Sequence, residues 1–174
     1  MGDKLKEYTK NKDMKSGEDD LEEFVCKKKI SKRDKEVSAG IIPVRKVGND
    51  YLFLLLRVYG FYEPPKGRVE NGEDAFDTAI RETLEETSIP PEALHFTWGK
   101  DSYTTEPYKK GRKTNVFFVA ETDFEDIVLP YSEEIGKPEH EAFVWVKYDE
   151  AKKLLNDRLG KAVDWAWNKI KGIK

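Results

Sequence analysis

Pro64-Pro65-Lys66-Gly67-Arg68-Val69-Glu70-Asn71-Gly72-Glu73-Asp74 runs without a break into a segment that ends Arg81-Glu82-Thr83-Leu84-Glu85-Glu86. Asp74 is suited to accept a backbone N–H as N-cap, Glu73 and Asp77 complement the positive end of a helix dipole, and Pro90-Pro91 stops a helix. The pattern predicts a helix from Asp74 to about Ser88. Phe76, Ala79, Ile80 and Leu84, with Thr83 and Thr87 beside them, recur at helical spacing and form the face expected to pack on a core. Glu82 and Glu86 fall on the line that carries Ala75 and Ala79, whose small side chains let the preceding loop approach. The two glutamates are therefore expected at the seam between loop and helix, with Glu85 one position round.

An acidic helix face ordinarily does no more than keep a surface solvated. Two features argue otherwise here. Glu82, Glu85 and Glu86 repel one another with no lysine at the favourable helical offset, so the cluster costs stability unless a cation or Arg81 compensates. Hard oxygen ligands gathered at one point suit Mg²⁺ or Mn²⁺. The second feature is Gly67, where the missing side chain leaves room for a backbone carbonyl to turn inward.

Gly67, five residues, Glu73, seven residues, then Arg81-Glu82-x-x-Glu85-Glu86 resembles the signature of the Nudix hydrolases over its full length. The resemblance implies an α/β fold, an α/β/α sandwich with a mixed sheet between helices. It also implies a metal-dependent hydrolase of a nucleoside diphosphate linked to another group, with Gly67, Glu82, Glu85 and Glu86 holding Mg²⁺ or Mn²⁺. Within the family, the Pro-Pro-Lys-Gly form of the motif is similar to that of asymmetrical dinucleoside tetraphosphate hydrolases. Lys113-Thr114 before a strand ending Ala120-Glu121, and Glu139-His140 followed by Trp145, agree with that form. The likeness covers roughly residues 37 to 160 and implies hydrolysis of diadenosine tetraphosphate to ATP and AMP. Glu82 or Glu139 would act as base on the attacking water, and Arg81 would fix Glu73 and a neighbouring glutamate through its planar fork. An alternative on the same chemistry is an RNA 5′ pyrophosphohydrolase. A nucleotide-sensing module without activity would normally have lost a glutamate, and none is lost here. Two positions depart from the family pattern: Ser88 stands for a glycine and Thr83 for an apolar residue. Either the serine takes positive φ at a cost on the order of 1 kcal/mol, or the helix ends differently.

At 174 residues with 12% aromatics, the chain supports one domain and an appendage. A formal charge of −3 argues against nucleic-acid binding driven by net charge. Cys26 is the one cysteine, which excludes an intrachain disulfide and fits a reducing compartment. The start has no apolar leader pattern and no run is long enough to cross a bilayer, so the expectation is a cytoplasmic protein without membrane contact.

Residues 1–35 mix lysine with acids around a short apolar cluster and read as a charged, mobile arm, with 36–174 as the hydrolase domain. Val37–Val44 and Tyr51–Val58 are expected as antiparallel strands around Gly48-Asn49-Asp50, and Leu52-Phe53-Leu54-Leu55-Leu56 as a strand covered on both faces. Further strands are expected at His95–Trp98, Ser102–Thr105, Asn115–Ala120 and Phe143–Val146. The tail reads as two helices, the second beginning past Gly160. Tyr59-Gly60-Phe61-Tyr62-Glu63 is either a lid on the core or a platform for a purine. Lys109-Lys110-Gly111-Arg112-Lys113 is a basic loop whose last residue, at a strand entrance, is the best held. Lys66, Tyr62, Tyr103 and Lys113 are the substrate-binding candidates, whereas His140 reads as structural.

Overall fold

The computed structural model describes residues 35–133 and 136–173. The arm expected over residues 1–35 lies, but for Lys35, outside the described residues. The chain begins with β1 (Glu36–Val47) and β2 (Asp50–Val58), a hairpin in antiparallel register from Val44 opposite Phe53 to Val47 opposite Asp50. Then come β3 (Phe61–Glu63), β4 (Lys66–Arg68), α1 (Ala75–Thr87), β5 (Tyr103–Thr104), β6 (Lys113–Glu121), β7 (Tyr131–Ser132), β8 (Lys137–Pro138), β9 (Ala142–Lys147), α2 (Tyr148–Leu154) and α3 (Asp157–Lys171). Seven strands form one mixed sheet in the order β3-β2-β1-β6-β5, with β4 on β1 and β9 on β2. β1 and β6 are parallel, and β7 with β8 makes a separate hairpin.

The continuous apolar run of β2 is explained by cover on both faces. Phe53 and Leu55 point into a core closed by Leu159, Ala162, Val163 and Ala166 of α3. Leu54 points the other way, into a core with Ile41, Phe118 and Ala79 of α1. Alternation along a strand sends neighbours to opposite faces, so a strand between two helix layers needs apolar residues at every position. The architecture is thus the expected α/β/α sandwich.

Several details differ from expectation. Lys66–Arg68 is a short strand rather than loop, paired antiparallel to β1 with Gly67 opposite Ala39. His95 makes an isolated bridge to Glu121, but Phe96 to Trp98 turn instead of extending, with a bond from Gly99 N–H to Phe96 O. Gly160 lies inside α3, which begins at the Asn156 cap, whose side chain accepts from the Leu159 N–H. Gly160 is there for proximity to α2: a Cβ on it would come 3.2 Å from Lys152 Nζ. Leu84 is exposed, and Thr83 and Thr87 are buried in its place. Their hydroxyls donate to the carbonyls of Ala79 and Thr83, so the threonines enter the core without an unpaired polar group.

Candidate active site

The position of α1 follows from its ends. Asp74 accepts from the Phe76 N–H as N-cap, and Ser88 takes the left-handed conformation at φ 61° while its N–H donates to Leu84 O. The helix is therefore fixed at both ends, and of the two endings expected at Ser88 it takes the strained one. Ala79 seats it on the sheet, and β4 runs alongside at the distance a glycine allows. An ideal Cβ on Gly67 would fall 1.9 Å from the carboxyl carbon of Glu82 and 2.0 Å from its Oε2. Glu86 reaches the same strand one residue earlier, where its Oε2 accepts from the Lys66 N–H at 2.8 Å. The expected seam between loop and helix is present, with Glu82 and Glu86 in it.

Arg81 organises the acids around the seam. Its Nε and Nη2 donate to the two carboxylate oxygens of Glu73 at 2.8 and 2.9 Å. Its Nη1 donates to Glu82 at 2.6 Å and to Glu85 at 3.0 Å, and Nη2 also reaches the Arg68 carbonyl at 3.2 Å. The two-pronged contact holds the Glu73 carboxyl down at about 2. Burial works in the opposite direction on the glutamates behind it. It pushes Glu82 above the ordinary carboxylate value, although the Arg81 bond opposes it, and it pushes Glu86 up further. The Glu86 side chain is only 10% exposed.

Among the described residues, no three acidic, histidine or cysteine side chains already converge as ligands, because Arg81 and the Lys66 N–H take up the carboxylate oxygens. The residues nevertheless fit a hard divalent cation. Buried carboxylates that resist ionisation alone, beside a strand where a Cβ has no room, are what a small multivalent ion compensates.

Glu139 belongs to the same region: with Glu85, Glu86 and His140 it lines an open cavity of about 120 Å³, to which Leu129, Pro130, Tyr131 and Ser132 also contribute. Sequence reasoning treated His140 as structural and did not single out Tyr131 or Ser132. His140 is 4% exposed, its Nε2 lies 3.8 Å from Glu86 Oε1, and burial lowers its pKa, which keeps it neutral beside the carboxylate. The signal available for it was its place directly after Glu139.

The substrate-binding candidates divide. The Lys66 backbone touches Glu86, while its ammonium bonds Glu63 at 2.6 Å. Lys113 heads β6 opposite Glu36 and pairs with it, and the positive charges of Arg68 and Lys109 act on the same Glu36 carboxylate. Tyr103 packs toward α3, its ring centroid 6.0 Å from that of Trp165. Tyr62 packs on that same core, on the sheet face away from α1. Gly67, Arg81, Glu82, Glu85, Glu86 and Glu139 are brought together; Tyr62 and Tyr103 are not in that group.

The NUDIX domain model matches residues 34–166 of this chain. The chain is a Nudix hydrolase. Its reaction class is hydrolysis of a nucleotide pyrophosphate linkage. Curated Nudix relatives include the bis(5′-nucleosyl)-tetraphosphatase (asymmetrical) of Rattus norvegicus, 35% identical over 115 residues, 64% of this chain and 75% of that protein. The protein of the same name from Caenorhabditis elegans is 33% identical over 68% of this chain and 84% of its own length. A solved structure described as a C. elegans Ap4A hydrolase binary complex superposes with TM-score 0.67 at 27% identity, covering 79% of this chain and 98% of that one. Among the described residues, no helix of this Nudix hydrolase is long and apolar enough to cross a membrane.

Proposed function

We propose that this Nudix hydrolase acts on dinucleoside polyphosphates, with diadenosine tetraphosphate cleaved by water to ATP and AMP. The observation that carries the reading is the seam itself: Glu82 against Gly67, and Glu86 against the Lys66 N–H, in a chain whose curated relatives bear the name of that activity. Glu82, Glu85, Glu86 and the Gly67 carbonyl would hold Mg²⁺ or Mn²⁺, which neutralises phosphate oxygens and acidifies a water molecule. Glu82 or Glu139 takes the proton of the attacking water. Water oxygen bonds to phosphorus as the bridging oxygen leaves with the other nucleotide.

Arg81 does a separate job. Anchored on Glu73 and on the Arg68 carbonyl, it keeps Glu82 and Glu85 from swinging into solvent, so the acidic face is preset before substrate arrives. Lys113, with Arg68 near it, supplies positive charge along the phosphates, and Tyr103 supplies an aromatic surface for a base.

The test is a substrate panel with Mg²⁺: diadenosine tetraphosphate, 5′-triphosphorylated RNA, ADP-ribose and nucleoside triphosphates. Diadenosine tetraphosphate is expected to show the highest kcat/KM, with ATP and AMP in equal amounts. A clear preference for triphosphorylated RNA would replace this reading with 5′ pyrophosphohydrolysis.

A further inference from the structure

The site lies next to a set of exposed aromatic side chains that the fold does not use. Phe61 is 75% exposed and Tyr131 63%, and Tyr59, with φ 48°, is as open as Phe61. Large aromatics left in water at a functional edge generally mark a contact. The register shows where Phe61 points. It stands opposite Val58 on β2, and Glu63 stands opposite Leu56. Strand alternation places these positions on the face shared with Leu54, which is packed toward α1. Phe61 is therefore on the catalytic side of the sheet, whereas its neighbour Tyr62 is packed on the other.

The β7–β8 hairpin brings the remaining members to the same side. Tyr131 and Ser132 line the same cavity as Glu85, Glu86, Glu139 and His140. Lys137, the cross-strand partner of Ser132, carries its ammonium over the Tyr59 ring at 5.7 Å from the centroid. A continuous line thus leads from the glutamate seam through the cavity to Tyr131, then by Lys137 to Tyr59. It leaves on a different side from Tyr103, which packs toward α3.

We propose that Tyr131 and Phe61, with Lys137 and Tyr59 behind them, receive the second nucleoside of the dinucleotide, the one not held at Tyr103. The inference rests on the functional reading above and deepens it by assigning the two ends of the substrate to two surfaces. A dinucleoside polyphosphate carries one flat, polarisable base at each end of an anionic chain. Stacking on an exposed ring suits the base, and a cation beside the ring suits the nearest phosphate. An open cavity also suits a group that must leave with its own phosphates after cleavage.

The experiment compares diadenosine tetraphosphate with adenosine 5′-tetraphosphate, which has the same phosphate count and only one base. The quantity read is the ratio of kcat/KM for the first to that for the second. In Tyr131→Ala this ratio is expected to fall ~10-fold, in the range that stacking of one base supports, through KM for the dinucleotide. Tyr131→Phe is expected to restore it, since a ring suffices, and Phe61→Ala to lower it as Tyr131→Ala does. Thermal melting of each variant separates folding from binding. A ratio unchanged within about twofold, or an equal loss on both substrates, would overturn the assignment. Failure of the functional reading is seen earlier and separately: the wild type would not hydrolyse diadenosine tetraphosphate, and both proposals would fall together.

Discussion

Gly67 and Glu82 approach so closely that a Cβ on the glycine would lie 1.9 Å from the glutamate carboxyl carbon. The clash is with the far end of a flexible side chain. A Cβ on Gly40, in contrast, would lie 2.1 Å from the Pro65 carbonyl oxygen and 2.5 Å from the Lys66 Cβ, atoms held by the backbone at the start of the paired strand. The two glycines therefore separate activity from stability. Gly67→Ala is expected to fold, with Glu82 displaced and kcat/KM down ~100-fold, the scale of a 1 Å misplacement at a reacting centre. Gly40→Ala is expected to lose roughly 1–3 kcal/mol through overpacking. Denaturant titration and steady-state kinetics on both variants check the contrast; equal loss of stability would contradict it.

Glu86 is expected to act on stability and turnover in opposite senses. Burial raises its folded pKa above the unfolded value, so the unfolded chain ionises first and, without a cation, stability falls as pH climbs past the ordinary carboxylate range. Glu86→Gln removes that loss and keeps an oxygen to accept from the Lys66 N–H. At neutral pH the metal-free variant should melt above the wild type. Mg²⁺ should raise the melting temperature of the wild type and leave the variant nearly unmoved, with turnover down by ~100-fold or more, since even outer-shell partners of a metal act on that scale. Wild-type activity at saturating Mg²⁺ would sink the ligand assignment.

How much of this was legible follows from the range of the interactions involved. The α1 caps, the glutamate line and the Arg81 fork are settled within about two helical turns, and their spacing displayed them. The apolar run of β2 likewise announced a strand with cover on both faces. What escaped depends on pairing over distance. Lys66–Arg68 is a strand because β1 lies beside it, and Phe96 to Trp98 fail to extend despite their aromatic content. Tyr62 and Phe61 are neighbours in an aromatic loop, yet strand register sends them to opposite faces, which composition alone does not reveal. Leu84 leaves the core face on which it was expected while Thr83 stays buried there, because a hydroxyl bond to the preceding turn makes threonine an acceptable core residue.

Tyr148 offers a pH test outside the site. Its hydroxyl donates to Asp164 Oδ1 at 2.7 Å, and this bond pushes its pKa up to about 12. A raised folded pKa means that the stabilisation is complete below the unfolded value near 10 and fades as pH rises toward 12. Tyr148→Phe should cost about 1 kcal/mol at pH 8, below the usual range for a bond to a charged group because Asp164 remains partly in water. The gap between wild type and variant should close between pH 10 and 12. Because the variant keeps the ring and its packing, a gap constant across that window would mean that the bond to Asp164 is not what sets it.

Lys113 and Tyr103 separate charge from stacking. Lys113 is held at the entrance of β6 by Glu36, with Arg68 close enough to act on the same carboxylate, so its ammonium has a fixed position. Lys113→Ala should raise KM for every polyphosphate by a similar factor, ~10-fold or about 1.4 kcal/mol, whatever base is attached. Tyr103→Ala should instead penalise substrates according to the base they carry, at ~1–3 kcal/mol for a purine, with kcat nearly unchanged because such binding is uniform between ground and transition states. The Tyr103 ring also leans on Trp165, so the variant needs a melting curve beside its kinetics, and Tyr103→Phe serves as the control that keeps both contacts. If Tyr103→Ala leaves KM for diadenosine tetraphosphate where it was while the protein stays folded, Tyr103 serves only the core under α3, and the first base must be sought elsewhere along the face that carries Lys113.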